Sequence, residues 1–204
     1  MGKKLIFLII FLSFNAYSMD YEDIKRSYYR SYQYEKIGNY DNAIKALSFV
    51  YNEYPDSYTV NLRLGWLYYL AKKFANSIFH YEKAIKAAPY SIEAKLGYTL
   101  PLLAQQKFND VEKVCYQILN IDYYNYYGNL RLAYALRIQK KYKIAIEVAS
   151  KILAIYPTDV NFLTELAILK YLTGKKEEAK KLFKDILILD PENITAKEYL
   201  KDYL

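Results

Sequence analysis

The run NLRLGWLYYLAKKFANSIFHYEKAIKAAP, residues 61 to 89, carries apolar residues three and four apart in two stretches that part near AKKF. That spacing places them on one face of each of two consecutive helices. No strand-like alternation persists anywhere, so the pattern predicts an all-helical chain. The pattern also recurs. Pro55, Pro89, Pro157 and Pro191 fall on a 34-residue ruler, with Tyr123 on the vacant mark. Two residues beyond each mark stand Ser57, Ser91, Asn125, Asp159 and Asn193. Each is a favoured helix N-cap, whose side-chain oxygen accepts an orphan backbone N–H of the helix that follows.

The interior of each unit keeps the same register. Small residues meet at equivalent places of the first helix: Ser31, Gly65, Thr99, Ala133 and Ala167. An aromatic follows the inter-helix turn at Tyr40, Phe74, Phe108 and Tyr142, with Lys176 in the fifth unit. Ala43, Ser77, Val111, Ala145 and Ala179 come early in the second helix. Small side chains let antiparallel helices approach closely, and the aromatic fills the gap at their joint.

At these residues the chain resembles the tetratricopeptide repeat family. LGWLYYLAKKFANSIFHYEKAIKAAP and LAILKYLTGKKEEAKKLFKDILILDP carry its order of Leu-small, aromatic, turn, Ala or Ser, and closing Pro. The resemblance covers units 24–57, 58–91, 92–125, 126–159 and 160–193. It implies a right-handed α-solenoid of antiparallel helix pairs over residues 19–204. Five units exceed the roughly three needed to bury a continuous core. ITAKEYLKDYL, residues 194–204, reads as a capping helix in which Ile194, Leu200 and Leu204 cover the last unit. The family's frequent tryptophan is absent from the first helix, where Ser27, Asn61, Lys95, Asn129 and Leu163 stand.

The first residues are a separate object. Lys3 and Lys4 precede an apolar run from Leu5 to Phe14, and AYS follows. This looks like a secretory signal peptide, residues 1–18, cleaved after Ser18. Export to a periplasm, cell envelope or medium is expected, and membrane association only if that segment is kept. The whole chain has a net charge of +7, and removing residues 1–18 leaves 27 basic residues against 22 acidic ones. The basic residues are scattered along the sequence, a pattern of a solvated face, and no nucleic-acid partner is expected. Tyr is abundant, at 26 of 204 residues. Cys115 stands alone, so no internal disulfide forms and stability rests on packing.

Candidate chemistry is sparse. His80 is the one histidine and reads as a surface residue; with it alone there is no His-pair metal site. Cys115 reads as a buried, inert thiol. No Gly-rich phosphate loop, G-x-S-x-G elbow or H-E-x-x-H occurs. No enzyme activity, cofactor or metal is expected.

What remains is surface shape. Places 2, 5, 9 and 12 of each unit share one face of the first helix, because spacings of three and four are neighbours there. The family resemblance implies that this face lines a concave groove holding a protein or peptide partner. The candidates are Tyr28 and Tyr32; Leu62, Trp66 and Tyr69; Leu96, Leu100 and Leu103; Leu130, Tyr134 and Arg137; Ile168 and Tyr171. Arg63 and Arg131 stand one place further round. Tyr, Trp and Arg are the types that most often dominate interface energetics. The family's carboxylate clamp for chaperone tails is absent: Tyr28, Tyr32, Arg63, Glu93 and Gly97 occupy its places in the first three units. The expected function is an exported, non-catalytic adaptor for an apolar or aromatic peptide segment. Alternatives are a carrier or holdase for an apolar small molecule or lipid, and self-association through the groove or the IDYYNYYGN face. Pro101, inside a first helix, predicts a kink between Gly97 and itself that sets Leu100 and Leu103 at the groove's centre.

Overall fold

The computed structural model describes residues 20–201, so the segment expected to be a signal peptide lies outside the described residues, as does Leu204. The helices are α1 (Tyr21–Lys36), α2 (Tyr40–Ala46), α3 (Ser48–Glu53), α4 (Tyr58–Leu70), α5 (Phe74–Ala87), α6 (Ile92–Ala104), α7 (Phe108–Leu119), α8 (Tyr126–Ile138), α9 (Tyr142–Leu153), α10 (Val160–Leu172), α11 (Lys176–Leu189) and α12 (Ile194–Lys201). Each first helix packs on its own second helix, and each second helix packs on the helix that opens the next pair, as α5 does on α4 and α6, building an all-α solenoid. Among the described residues no helix is long and apolar enough to cross a membrane.

The turns within pairs are copies of one another. Gly38, Lys72, Gln106, Lys140 and Gly174 all adopt a positive φ, at 34-residue intervals. At each, the following backbone N–H donates to the carbonyl five residues back: Asn39 to Tyr34, Lys73 to Tyr68, Lys107 to Leu102, Lys141 to Leu136 and Lys175 to Lys170, all at 2.9 Å. This is the six-to-one bond of a Schellman C-cap, which satisfies carbonyls the helix end leaves open. Three of the five left-handed residues are not glycine, and the turn keeps its geometry regardless.

The turns between pairs are held by the predicted caps and by buried polar residues behind them. Ser91, Asn125, Asp159 and Asn193 accept from the N–H groups of Ala94, Gly128, Phe162 and Ala196 at 2.9–3.1 Å. Ser57 occupies the N-cap place, but its hydroxyl pairs with Thr59 Oγ1 instead. The missing tryptophan has a physical replacement. Asn61 Nδ2 donates to the carbonyls of Pro55 and Ser57, Asn129 Nδ2 to those of Tyr123 and Asn125, and Lys95 Nζ to that of Pro89. These side chains reach back to the ruler residue itself and tie the turn to the interior.

The second helix of the first pair is divided at Leu47, where Ser48 Oγ donates to the Lys45 carbonyl. Ser31, Gly65, Thr99, Ala133 and Ala167 are buried where paired helices meet. Ser77 Oγ donates to the Gly65 carbonyl across that joint, at 2.7 Å.

Two sequence expectations are corrected. Ile194 is 71% exposed and does not cover the last pair; Ala196 is buried, while Tyr199 and Leu200 pack against the core in its place. The Tyr199 ring stacks on Phe183 with centroids 4.8 Å apart. As the residue after the Asn193 cap, Ile194 begins the helix on its solvent side. His80 is not on the surface. It is 5% exposed, its Nδ1 lies 2.9 Å from Asn61 Oδ1, and its ring stacks on Tyr68. Asn61 uses its amide on backbone carbonyls, so its oxygen needs an inward donor and His80 supplies one. In the fourth unit Val148 occupies the place of His80, and the Asn129 oxygen has no partner. Helix α6 continues through Pro101 to Ala104, and the Pro101 ring is buried. Gly97 lacks a side chain because the Tyr81 ring lies against it, where a Cβ would collide.

Candidate groove on the first-helix face

The first helices bring the predicted residues to two depressions. One, of about 320 Å³, is lined by Tyr28, Tyr32, Leu62, Arg63 and Trp66 together with Thr59 and Glu93. The other, of about 360 Å³, is lined by Leu103, Leu130, Arg131 and Tyr134, with Asn161, Thr164, Glu165, Asn193 and Thr195. Between them Tyr69 packs its ring on Trp66 and Phe74. Leu96 and Leu103 are half-buried and share the core beneath α6, while Leu100 is half-buried beside them. Tyr171 meets Tyr199 edge-on at 5.0 Å. Ile168 is not part of the groove: it is 6% exposed and packs with Leu163, Ala167, Phe183 and Ile186, because α12 closes that end of the core.

The arginines of this face follow one rule of placement. Arg63 Nη1 lies 2.5 Å from Glu35 Oε2, with little of its side chain exposed. Arg137 pairs with Glu165 through two bonds, Nε to Oε2 at 2.7 Å and Nη2 to Oε1 at 3.1 Å. Both pairs join place 12 of one unit to place 6 of the next, with the charges reversed. Charge-assisted and bidentate bonds of this kind fix side-chain geometry. Glu35 also accepts from Trp66 Nε1 at 2.6 Å, which orients the indole. Arg63 then lies over the Tyr32 ring, 3.8 Å from its centroid, and Arg137 over Tyr134 at 5.1 Å.

Arg131 breaks the rule because Leu103 stands at the place where an acid is needed. Among the described residues no carboxylate takes its guanidinium. Its Nη1 donates to the Leu96 carbonyl at 2.5 Å and to Thr99 Oγ1 at 2.6 Å. Pro101 has no N–H for the Gly97 carbonyl, and the neighbouring Leu96 carbonyl is the one Arg131 holds. Burial lowers the Arg131 pKa. Arg131 is thereby tied to α6, and it lines the depression from there.

Glu35 and Glu165 escaped the sequence reading. Glu35 shares place 12 with Tyr69, Leu103, Arg137 and Tyr171, so the spacing pointed to it; its charge set it apart from an apolar lining. Glu165 shares place 6 with Arg63 and Arg131. Cys115 is fully buried, and burial pushes its thiol up to about 12. Among the described residues no group of three or more His, Cys, Asp or Glu gathers that could hold a metal ion.

The sequence profile of the tetratricopeptide repeat matches residues 32–92. No curated protein matches the chain. Solved structures do. MamA MSR-1 is 25% identical, with a TM-score of 0.69 over 82% of this chain and 98% of that one. MamA from Desulfovibrio magneticus RS-1 is 13% identical, with a TM-score of 0.77 over 85% and 98%. A tetratricopeptide repeat protein from Parabacteroides merdae is 16% identical, with a TM-score of 0.82 over 89% and 72%. Residues 32–92 thus match the tetratricopeptide repeat profile, and the described residues share the all-α solenoid fold of these structures.

Proposed function

We propose that this protein is an exported, non-catalytic interaction scaffold whose groove holds an apolar or aromatic peptide segment. The fold supports the broader part, since its structural neighbours are tetratricopeptide repeat proteins. The observation that carries the finer reading is the pair of depressions on the first-helix face. Each sets aromatic and leucine side chains beside an arginine already locked in place. Side chains ordered before a partner arrives cost less entropy on binding. Aromatic anchors flanked by arginine are the usual centres of interface energy. Export rests on the sequence of residues 1–18.

The test is crosslinking and capture from the native cell envelope with the wild-type chain and with Trp66→Ala/Tyr134→Ala. The double variant should lose the captured polypeptide while keeping its helical circular dichroism. Equal capture by both would defeat the groove reading.

A further inference from the structure

The lysines that look scattered in the sequence are gathered by the solenoid. Every first helix runs from one edge of the molecule to the other and every second helix returns. The turns within pairs therefore lie along one edge and the turns between pairs along the opposite one. Neighbouring turns touch: Lys73 Nζ reaches Asp41 of the preceding turn at 2.6 Å, and on the other edge Tyr58 Oη lies 2.8 Å from Ser91 Oγ. The two edges differ in charge. The five within-pair turns, residues 36–41, 70–75, 104–109, 138–143 and 172–177, hold nine lysines and two acids. The five between-pair turns, residues 54–59, 88–93, 122–127, 156–161 and 190–195, hold six acids, eight tyrosines and no lysine or arginine.

Lysine stands at the N-caps of four successive second helices, Lys73, Lys107, Lys141 and Lys175, and none makes a side-chain capping bond. A cation at a helix N-terminus opposes the macrodipole. Lys73, Lys141 and Lys175 each meet one acid, Asp41, Glu112 and Glu178, at exposed pairs that a partner's carboxylates can extend. Opposite it, Tyr90, Tyr123 and Tyr156 are 83%, 59% and 54% exposed.

The geometry points to head-to-tail association of this protein, the lysine edge of one copy seated on the acidic tyrosine edge of the next. Both edges belong to one superhelix and share its repeat spacing. A shift along the helix axes by about one helix length, roughly 20 Å for 13 residues, brings turn over turn in register. Lysine meets carboxylate and tyrosine face there. The chain already makes such a contact internally, with Lys151 Nζ 3.8 Å from the Tyr123 ring centroid. Cation–π contacts add to charge complementarity at such a surface. Because the two surfaces differ, the contact is heterologous and leaves a free edge at each end. Its acidic edge adjoins the groove, since Thr59, Glu93, Asn161, Asn193 and Thr195 of these turns also line the depressions.

Sedimentation velocity over a concentration series tests this with two charge-reversed variants. Lys107→Glu/Lys140→Glu/Lys175→Glu weakens the lysine edge and places acids at two helix N-termini, where they favour the fold. Asp56→Lys/Glu93→Lys/Glu192→Lys weakens the acidic edge and spares the capping residues. At low ionic strength the wild type should assemble with concentration, and high salt should return it to monomer. Each variant alone should remain monomeric with unchanged circular dichroism. Mixed, they should form a one-to-one dimer that grows no further, since each keeps one working edge. A wild type monomeric throughout, assembly indifferent to either reversal, or variants that fail to pair when mixed would each overturn the inference. So would a wild type that stays monomeric at low salt while pelleting with phosphatidylglycerol vesicles, which would assign the lysine edge to a lipid surface.

Discussion

The Tyr81 ring fills the space that a side chain on Gly97 would occupy, and it also lies against Gly65, where a Cβ would stand 2.9 Å from the ring. One buried tyrosine on a second helix is thus received by glycines on two successive first helices. Burial raises its pKa, so the ring stays neutral at every physiological pH.

Gly97→Ala should destabilise the protein by about 1–3 kcal/mol, the usual cost of overpacking a core. Helix propensity alone gives the opposite sign, a gain of about 1 kcal/mol for alanine over glycine. Urea unfolding decides between them. Combining the change with Tyr81→Leu should remove most of the loss, and a gain in the single variant would refute the packing account.

Pro101→Ala should raise stability by about 1–2 kcal/mol. A proline in a helix interior costs about 3 kcal/mol, part of which the buried ring offsets. Alanine restores an N–H for the Gly97 carbonyl, and Ala135 shows that alanine fits the equivalent buried place in the fourth unit. An unfolding midpoint at or below that of the wild type would mean that packing of the buried proline ring offsets the lost bond in full.

Glu35→Gln should cost about 2–4 kcal/mol, because it leaves the Arg63 charge buried without its partner. The double change Glu35→Leu/Arg63→Met should cost less than the two single changes together. Trp66 fluorescence should shift in the Glu35 variant as the indole exchanges a carboxylate acceptor for a neutral amide. An additive double mutant with unchanged emission would contradict the pairing.

His80 makes stability depend on pH. Burial first, and Lys83 second, lower its pKa from 6.5 to about 4. Between these values the unfolded chain binds a proton that the folded one refuses. The contribution is therefore present in full above about pH 6.5 and is lost as pH falls toward 4, by about 3 kcal/mol in all. Paired denaturation curves of the wild type and His80→Gln should converge over that window. Parallel curves would show that His80 does not titrate as described.

Cys115 should resist iodoacetamide in the native state and react only as the chain opens. Its thiol is fully buried and held up to about 12, so almost no thiolate is present at neutral pH. Mass spectrometry across a urea series reads this directly; rapid native labelling would contradict it.

Much of this was legible in the sequence because a repeat protein writes its local rules several times. The N-caps at Ser91, Asn125, Asp159 and Asn193, the small residues at the helix joints and the buried thiol follow from contacts near in sequence or fixed by the unit. His80 and Ile168 were misplaced for one reason. Each owes its burial to a residue from another helix, Asn61 in one case and the α12 closure in the other. Glu35 was passed over because its partner lies 28 residues away in the next unit.

By itself the sequence determined the helices, their register and the place at which each unit turns, since apolar spacing, caps and the 34-residue period act within a few residues. Only the tertiary structure decided which of those residues meet. It set Tyr81 between Gly65 and Gly97, gave Arg131 to the Leu96 carbonyl, and collected lysines 34 residues apart onto one edge. Such contacts depend on how successive pairs stack, and that follows from packing across units rather than from any local stretch of chain.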